Sequence, residues 1–125
     1  MKRFGICLTL ALLLIPIVCL GANDTTGTPV RIDTFGSDVV IASGPRPIKV
    51  KNITITAYTS AKTVTLIDSS NAVVLVLECP SGSTISWPPF TPSGDFRGIE
   101  FGNGLTFDDS ASDLGAGDLV FIWKY

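Results

Sequence analysis

The chain contains no histidine. That absence removes Ser-His-Asp and Cys-His nucleophile pairs, because no side chain is present to take the nucleophile's proton near neutral pH. Cysteine is almost as scarce. Of three residues, Cys7 and Cys19 lie in the first 22 positions, so Cys79 stands alone in the remainder. No disulfide can form within that remainder, although small exported domains often rely on such staples. Charge is thin, at 16 % of residues, and the few lysines, Lys49, Lys51 and Lys62, form no stripe. A protein that grips phosphates needs one, so nucleic acid is not expected as a partner. Gly102-Asn103-Gly104 and Gly115-Ala116-Gly117 read as turns, without the helix that a phosphate-cradling loop feeds. No cofactor is expected. After residue 22 no helical periodicity appears.

What is present begins with a leader. Lys2 and Arg3 precede an almost wholly apolar run, residues 4–20, that closes on Cys19-Leu20-Gly21-Ala22. A charged end, an apolar middle and small residues at the cut are the layout of a secretory signal. Cleavage fits after Gly21 or after Ala22. The competing reading is an uncleaved membrane anchor, which needs about 20 apolar residues in a helix; this run is slightly shorter and holds Pro16. A lipid anchor on Cys19 is disfavoured by Val18, which stands where a small residue is wanted. The expectation is a signal helix over residues 1–22, a flexible leader over 23–29 and one domain over 30–125, secreted or held at the cell surface. Without Lys2 and Arg3, the 9 cations fall to 7 against 11 acids, a net charge of −4. Such a charge keeps a small domain soluble and carries no fold information.

The domain reads as sheet throughout. Thr, Ser, Gly, Val and Ile dominate, and short alternating runs recur every 8–12 residues between turn signals. Strands are expected in 30–35, 38–42, 47–59, 63–68, 73–78, 84–87, 96–101, 105–107 and 119–125. In the third, Ile48 and Val50 face one way, and then Ile53, Ile55 and Ala57 carry the apolar face. The phase jumps at Lys51-Asn52, which implies a bulge and a bend. Such a bend would let one long strand serve both layers of a sandwich. Val73 to Glu78 is apolar on both faces, as in a strand covered by a second layer or docked on a neighbour. Three prolines between Pro88 and Pro92 exclude a central ladder there. The fold class expected is all-β: a small antiparallel sandwich or barrel of about seven to nine strands.

The order of segments from Gly44 to Tyr125 is GPRPIKVKNITI, TVTLIDSSNAVVLVLE, WPPFTP, GIEFGNGLTF and GAGDLVFIWKY. It resembles small β-sandwich virion proteins of tailed bacteriophages. The matching positions are Thr63, Val64, Leu66, Asp68, Asn71, Val73 and Val74, then Gly104 and Leu105, then Gly117, Leu119, Phe121 and Trp123. The resemblance implies a β-sandwich with a structural role in a phage particle. The export leader departs from it, because such proteins assemble in the cytoplasm. It points instead to a related domain on a cell surface, or to a membrane step in a phage life cycle.

Several residues invite a functional reading, and each has a plainer one. Asp108, Asp109 and Asp113, with Asp118, form the one acidic cluster. Calcium wants six to eight oxygens, but the Asp-x-Asp-x-Asp-Gly spacing is absent, and a solvated turn is the plainer account. Trp87, Phe90, Tyr58, Trp123 and Tyr125 offer rings on which a sugar could stack. Trp123 shares parity with Leu119 and Phe121, which assigns it to the core; Trp87 beside Pro88 is the better surface candidate. Asn23 and Asn52 head glycosylation triplets, read as accidental. Cys79 reads as a small hydrophobe at a strand end, with an intermolecular disulfide as the alternative. Asp95 and Glu100 are conceivable as acid and base, but no cleft is in prospect.

These readings converge on a non-enzymatic structural protein. Its expected interaction residues are Val73, Leu75, Leu77, Trp87, Phe90 and Trp123, and its expected partner is a second copy or a larger assembly. The alternative is a secreted carbohydrate-binding module using Trp87, Phe90 and Tyr58 on one face. A small hydrolase ranks last.

Overall fold

In the computed structural model, residues 23–88 and 98–125 are described. They contain no helix and nine strands: β1 (Val30–Ile32), β2 (Val39–Ala42), β3 (Ile48–Thr56), β4 (Lys62–Ile67), β5 (Val73–Cys79), β6 (Thr84–Trp87), β7 (Ile99–Phe101), β8 (Leu105–Phe107) and β9 (Leu119–Lys124). Every pairing between them is antiparallel. The expected signal helix lies outside the described residues.

The strands form two sheets. The first has the order β1-β9-β3-β6, with β7 also paired to β3; the second has the order β2-β8-β4-β5. Among the described residues, only β4 and β5 are consecutive strands joined as a hairpin. All other described connections cross between sheets or skip a neighbour. Alternate side chains from both inner faces meet in one apolar core, which includes Ile53, Ile55, Val64, Leu66, Phe107 and Ile122.

The phase jump in β3 is real. Val50 pairs with Lys124 and Asn52 with Trp123, with a register shift between them. Ile48 and Val50 are buried before it, and Ile53, Ile55 and Ala57 after it. The extra residue lets both apolar sets reach the same core. It does not carry β3 into the second sheet. Instead β3 changes its outer neighbour there, from β7 over Ile48–Val50 to β6 over Ile53–Thr56.

Residues 23–29 fold back on β1 rather than trailing as a leader. Asp24 and Arg31 exchange two backbone hydrogen bonds, of 3.0 and 2.9 Å. The Asn23 side chain accepts from the Asp33 and Thr34 amides, each at 3.0 Å. The Lys124 ammonium donates to the Thr25 carbonyl at 2.8 Å.

The two ends of the sandwich differ. At one, β3 starts and β9 finishes, and the 43–47 loop arrives from β2. At the other lie the 33–38 turn, the 57–61 crossing and the 108–118 loop, which is tied to β4: Asp108 N donates to Thr65 O at 3.0 Å and Asp113 N to Thr63 O at 3.2 Å. The loop thereby continues the sheet past the short strand β8, and satisfies a stretch of β4 that β8 does not reach.

Candidate functional site

The second sheet determines where the exposed apolar surface lies. Strand β4 is central, and Val64 to Ile67 are all buried. Strand β5 is the sheet's edge, seven residues long, with an outer side that is unpaired among the described residues. Side chains alternate along it. Leu77 and Cys79 are buried and Leu75 is half-buried against the core, whereas Val74, Val76 and Glu78 point outward. Between Leu66 and Ile67 the register slips, so that Leu66 faces Leu75 and Ile67 faces Val73. The bulge sends Val73 to the outer face.

On that outer face the side chains line up across strands. Val40 pairs with Thr106, Thr106 with Ile67 and Ile67 with Val73. Thr65 pairs with Val76 in a second row. Neither row contains a charged residue. Val40 is 55 % exposed, Val73 61 % and Val76 51 %. These values single the face out, because a valine in an ordinary two-layer domain is usually covered. An exposed apolar row that runs to an edge strand is a candidate interaction surface.

The expected interaction residues separate accordingly. Val73 belongs to this surface. Leu75 and Leu77 do not, because they fill the domain's own core. The strand covered on both faces is β4 rather than β5: the Thr65 amide donates to Ser112 Oγ at 2.9 Å, and its hydroxyl donates to Ala111 O at 3.1 Å, beneath the 108–113 loop. Trp87 is opposite Ile53 and packs against the core, so it is not a surface ring. Trp123 has the reverse correction. Val120 and Ile122 are the buried residues of β9, which puts Leu119, Phe121 and Trp123 on the outer face of the first sheet. There the Phe121 and Trp123 rings tilt together with centroids 5.7 Å apart. Phe90 lies outside the described residues. Tyr58 is exposed, but stands beyond the end of β3 where β6 begins, whereas Trp87 ends β6. Tyr58 and Trp87 therefore form no common sugar platform.

The acidic residues Asp108, Asp109 and Asp113 do not converge on one point. Among the described residues no three acid or cysteine side chains converge on a point that could hold an ion. Each carboxylate is instead tied to a backbone amide. Asp108 accepts from Ser110 Oγ at 2.7 Å and from Ala111 N at 3.1 Å, which lowers its pKa below the ordinary carboxylate value. Asp109 accepts from Gly36 N at 2.9 Å. Asp113 accepts from the Thr63 amide. These bonds pin the loop and leave no shared oxygen cage. Cys79 is buried, with its sulfur 3.3 Å from Ser83 O, so it is closed to a disulfide with another chain.

Val74 and Val76 were the residues missed. The signal was available: once Leu77 is placed inside, period two sends both outward. Val40 and Ile67 carried no such signal, because their neighbours on the face belong to strands remote in sequence. No family model, no curated protein and no solved structure matches the chain.

Proposed function

We propose that the protein is an exported, non-enzymatic assembly subunit that joins a second copy of itself edge to edge through β5. One observation carries the reading: among the described residues the seven-residue edge strand has no cover on its outer side, and it continues into an uncharged apolar row. Edge strands normally carry prolines, several charges or a cover against such pairing. Here β5 has one charge, Glu78, and no proline. An antiparallel pairing centred on Leu75 sets Val74 against Val76 of the second copy and Glu78 against Ala72. Like charges then do not meet, and the contact is the same patch on both copies. The two four-stranded sheets become one of eight. The export leader in the sequence supports an extracytoplasmic setting. The resemblance to phage particle proteins supports a repeated structural role.

Light scattering on the purified protein tests this. In high salt, the wild type is expected to associate at micromolar concentration, and Val76→Lys to remain a folded monomer. A wild type that stays monomeric at high micromolar concentration would remove the proposal.

A further inference from the structure

The charges are divided between the two ends of the sandwich. At the end where β3 starts lie Arg46, Lys49, Lys51 and Lys124, four of the six cations among the described residues. Arg46, Lys49 and Lys124 line one open groove of about 580 Å³, whose apolar wall includes Ile48 and Tyr125. The acids at this end are Asp24, Asp68 and Glu100, and only Glu100 lines the groove, 3.9 Å from Lys49.

The opposite end is acidic. Asp38, Asp108, Asp109 and Asp113 cluster on the 33–38 turn and the 108–118 loop, with Asp33, Asp118 and Glu78 beside them. Two cations answer these seven acids. Arg31 holds Asp33 at 2.6 Å, and Lys62 stands 3.6 Å from Asp118. Asp38, Asp108, Asp109 and Asp113 have no ion-pair partner among the described residues. Their carboxylates accept only backbone amides and hydroxyls. In the 109–111 turn, Ser110 and Ala111 are exposed.

We infer that the basic groove of one copy receives the acidic 108–113 turn of the next, so that subunits also join end to end. This rests on the self-association reading but uses a different surface. The occupant follows from complementarity: a groove lined by three cationic side chains and one acidic one is matched, at the other end of the same molecule, by a turn with three carboxylates that have no ion-pair partner among the described residues, Asp108, Asp109 and Asp113, with Asp38 beside it. Because the two surfaces differ, the contact is head to tail and does not close on itself as a β5 pair does. Lateral pairing through β5 and longitudinal stacking through the ends would together extend in two directions. The two contacts respond differently to salt. Exposed ion pairs are screened when the Debye length falls from about 30 Å at 0.01 M to about 3 Å at 1 M, whereas a backbone-paired apolar edge is not.

The test uses the full chain carrying Val76→Lys, which closes the lateral route. Sedimentation velocity at low ionic strength should show association that disappears in high salt. Adding Arg46→Glu and Lys49→Glu should weaken it by about tenfold or more. A second protein, carrying Val76→Lys with Asp38→Lys and Asp109→Lys, should likewise fail to associate alone, yet co-sediment with the first when mixed. Circular dichroism checks that each variant is folded. A monomeric Val76→Lys protein at low salt would overturn the inference while leaving the β5 reading intact. So would association indifferent to the charge reversals, or reversed proteins that fail to meet on mixing. Loss of wild-type association at high salt would instead count against β5.

Discussion

Asp118 holds Tyr58 in place: its Oδ1 accepts the Tyr58 amide at 2.8 Å, although 60 residues separate them in the chain. Its Oδ2 accepts from Gly115 N at 2.8 Å and lies 3.6 Å from the Lys62 ammonium. One nearly buried carboxylate thus ties the β3–β4 crossing to the loop before β9. Asp118→Ala is expected to cost about 2–4 kcal/mol, because it leaves two amides without their acceptor and a partly buried ammonium without its counter-charge, although Lys62 keeps its hydrogen bond to the Asp113 carbonyl. Asp118→Asn keeps one carbonyl acceptor and is expected to cost about half as much. Urea unfolding followed by tryptophan fluorescence measures both.

Acid should unfold the protein in a defined window. Three carboxylates have pKa values held below the ordinary one: Asp24 by Thr26 and Gly27, Asp68 by the Ala72 and Ser70 amides, and Asp108 by Ser110 and Ala111. A depressed folded value means that the unfolded chain binds protons first, so stability is full above the unfolded pKa of about 3.9 and falls as pH drops through the lower folded values. Thermal midpoints should be flat above about pH 5 and decline below about pH 4. The Asp24→Asn, Asp68→Asn, Asp108→Asn triple variant should show a shallower decline. An equally steep acid limb in that variant would assign the loss to other groups.

Gly104 and Gly102 make a matched pair. Gly104 has φ +73°, and a Cβ there would lie 2.7 Å from the Ala42 carbonyl and 2.8 Å from the Gly44 amide. Backbone atoms cannot yield as a flexible side chain does, so Gly104→Ala is expected to destabilise by about 1–3 kcal/mol. A Cβ on Gly102 meets nothing within 4 Å. Gly102→Ala should change stability by no more than about 0.5 kcal/mol. Equal effects at both sites would contradict this account of the turn.

Adjacent positions in β5 should behave oppositely. Leu77→Lys places an ammonium in the core, and is expected to cost several kcal/mol or prevent folding. Val76→Lys points into solvent, and is expected to change monomer stability by less than about 1 kcal/mol. Circular dichroism melts of the two proteins settle the direction in which the strand faces.

Much of this fold was legible in the chain because strands announce themselves locally. Thr84–Trp87 and Leu105–Phe107 have the bounds expected of them, and the bulge in β3 was visible as a change of phase at Lys51-Asn52. The Asp68–Asn71 turn is built from residue types that bond their own backbone: the Asp68 carboxylate accepts from Ser70 N and Ala72 N, and Asn71 takes φ +61°. The exposed apolar surface was less legible. Val73 was singled out, but Leu75, Leu77 and Trp87 turned inward, and Trp123 turned outward.

What the sequence determined alone is the alternation: which residues share a face, where the phase slips and where the chain turns, since these depend on neighbours two to four positions away. It could not determine the sign. Leu119-Phe121-Trp123 and Val120-Ile122 are both apolar sets, and only the position of β9 between β1 and β3, over a core already filled from the other sheet, sends the second set inward. Likewise, only sheet order makes β5 an edge and β4 a covered centre. A strand's environment is set by the partners that distant segments bring, and period two says nothing about which partners arrive.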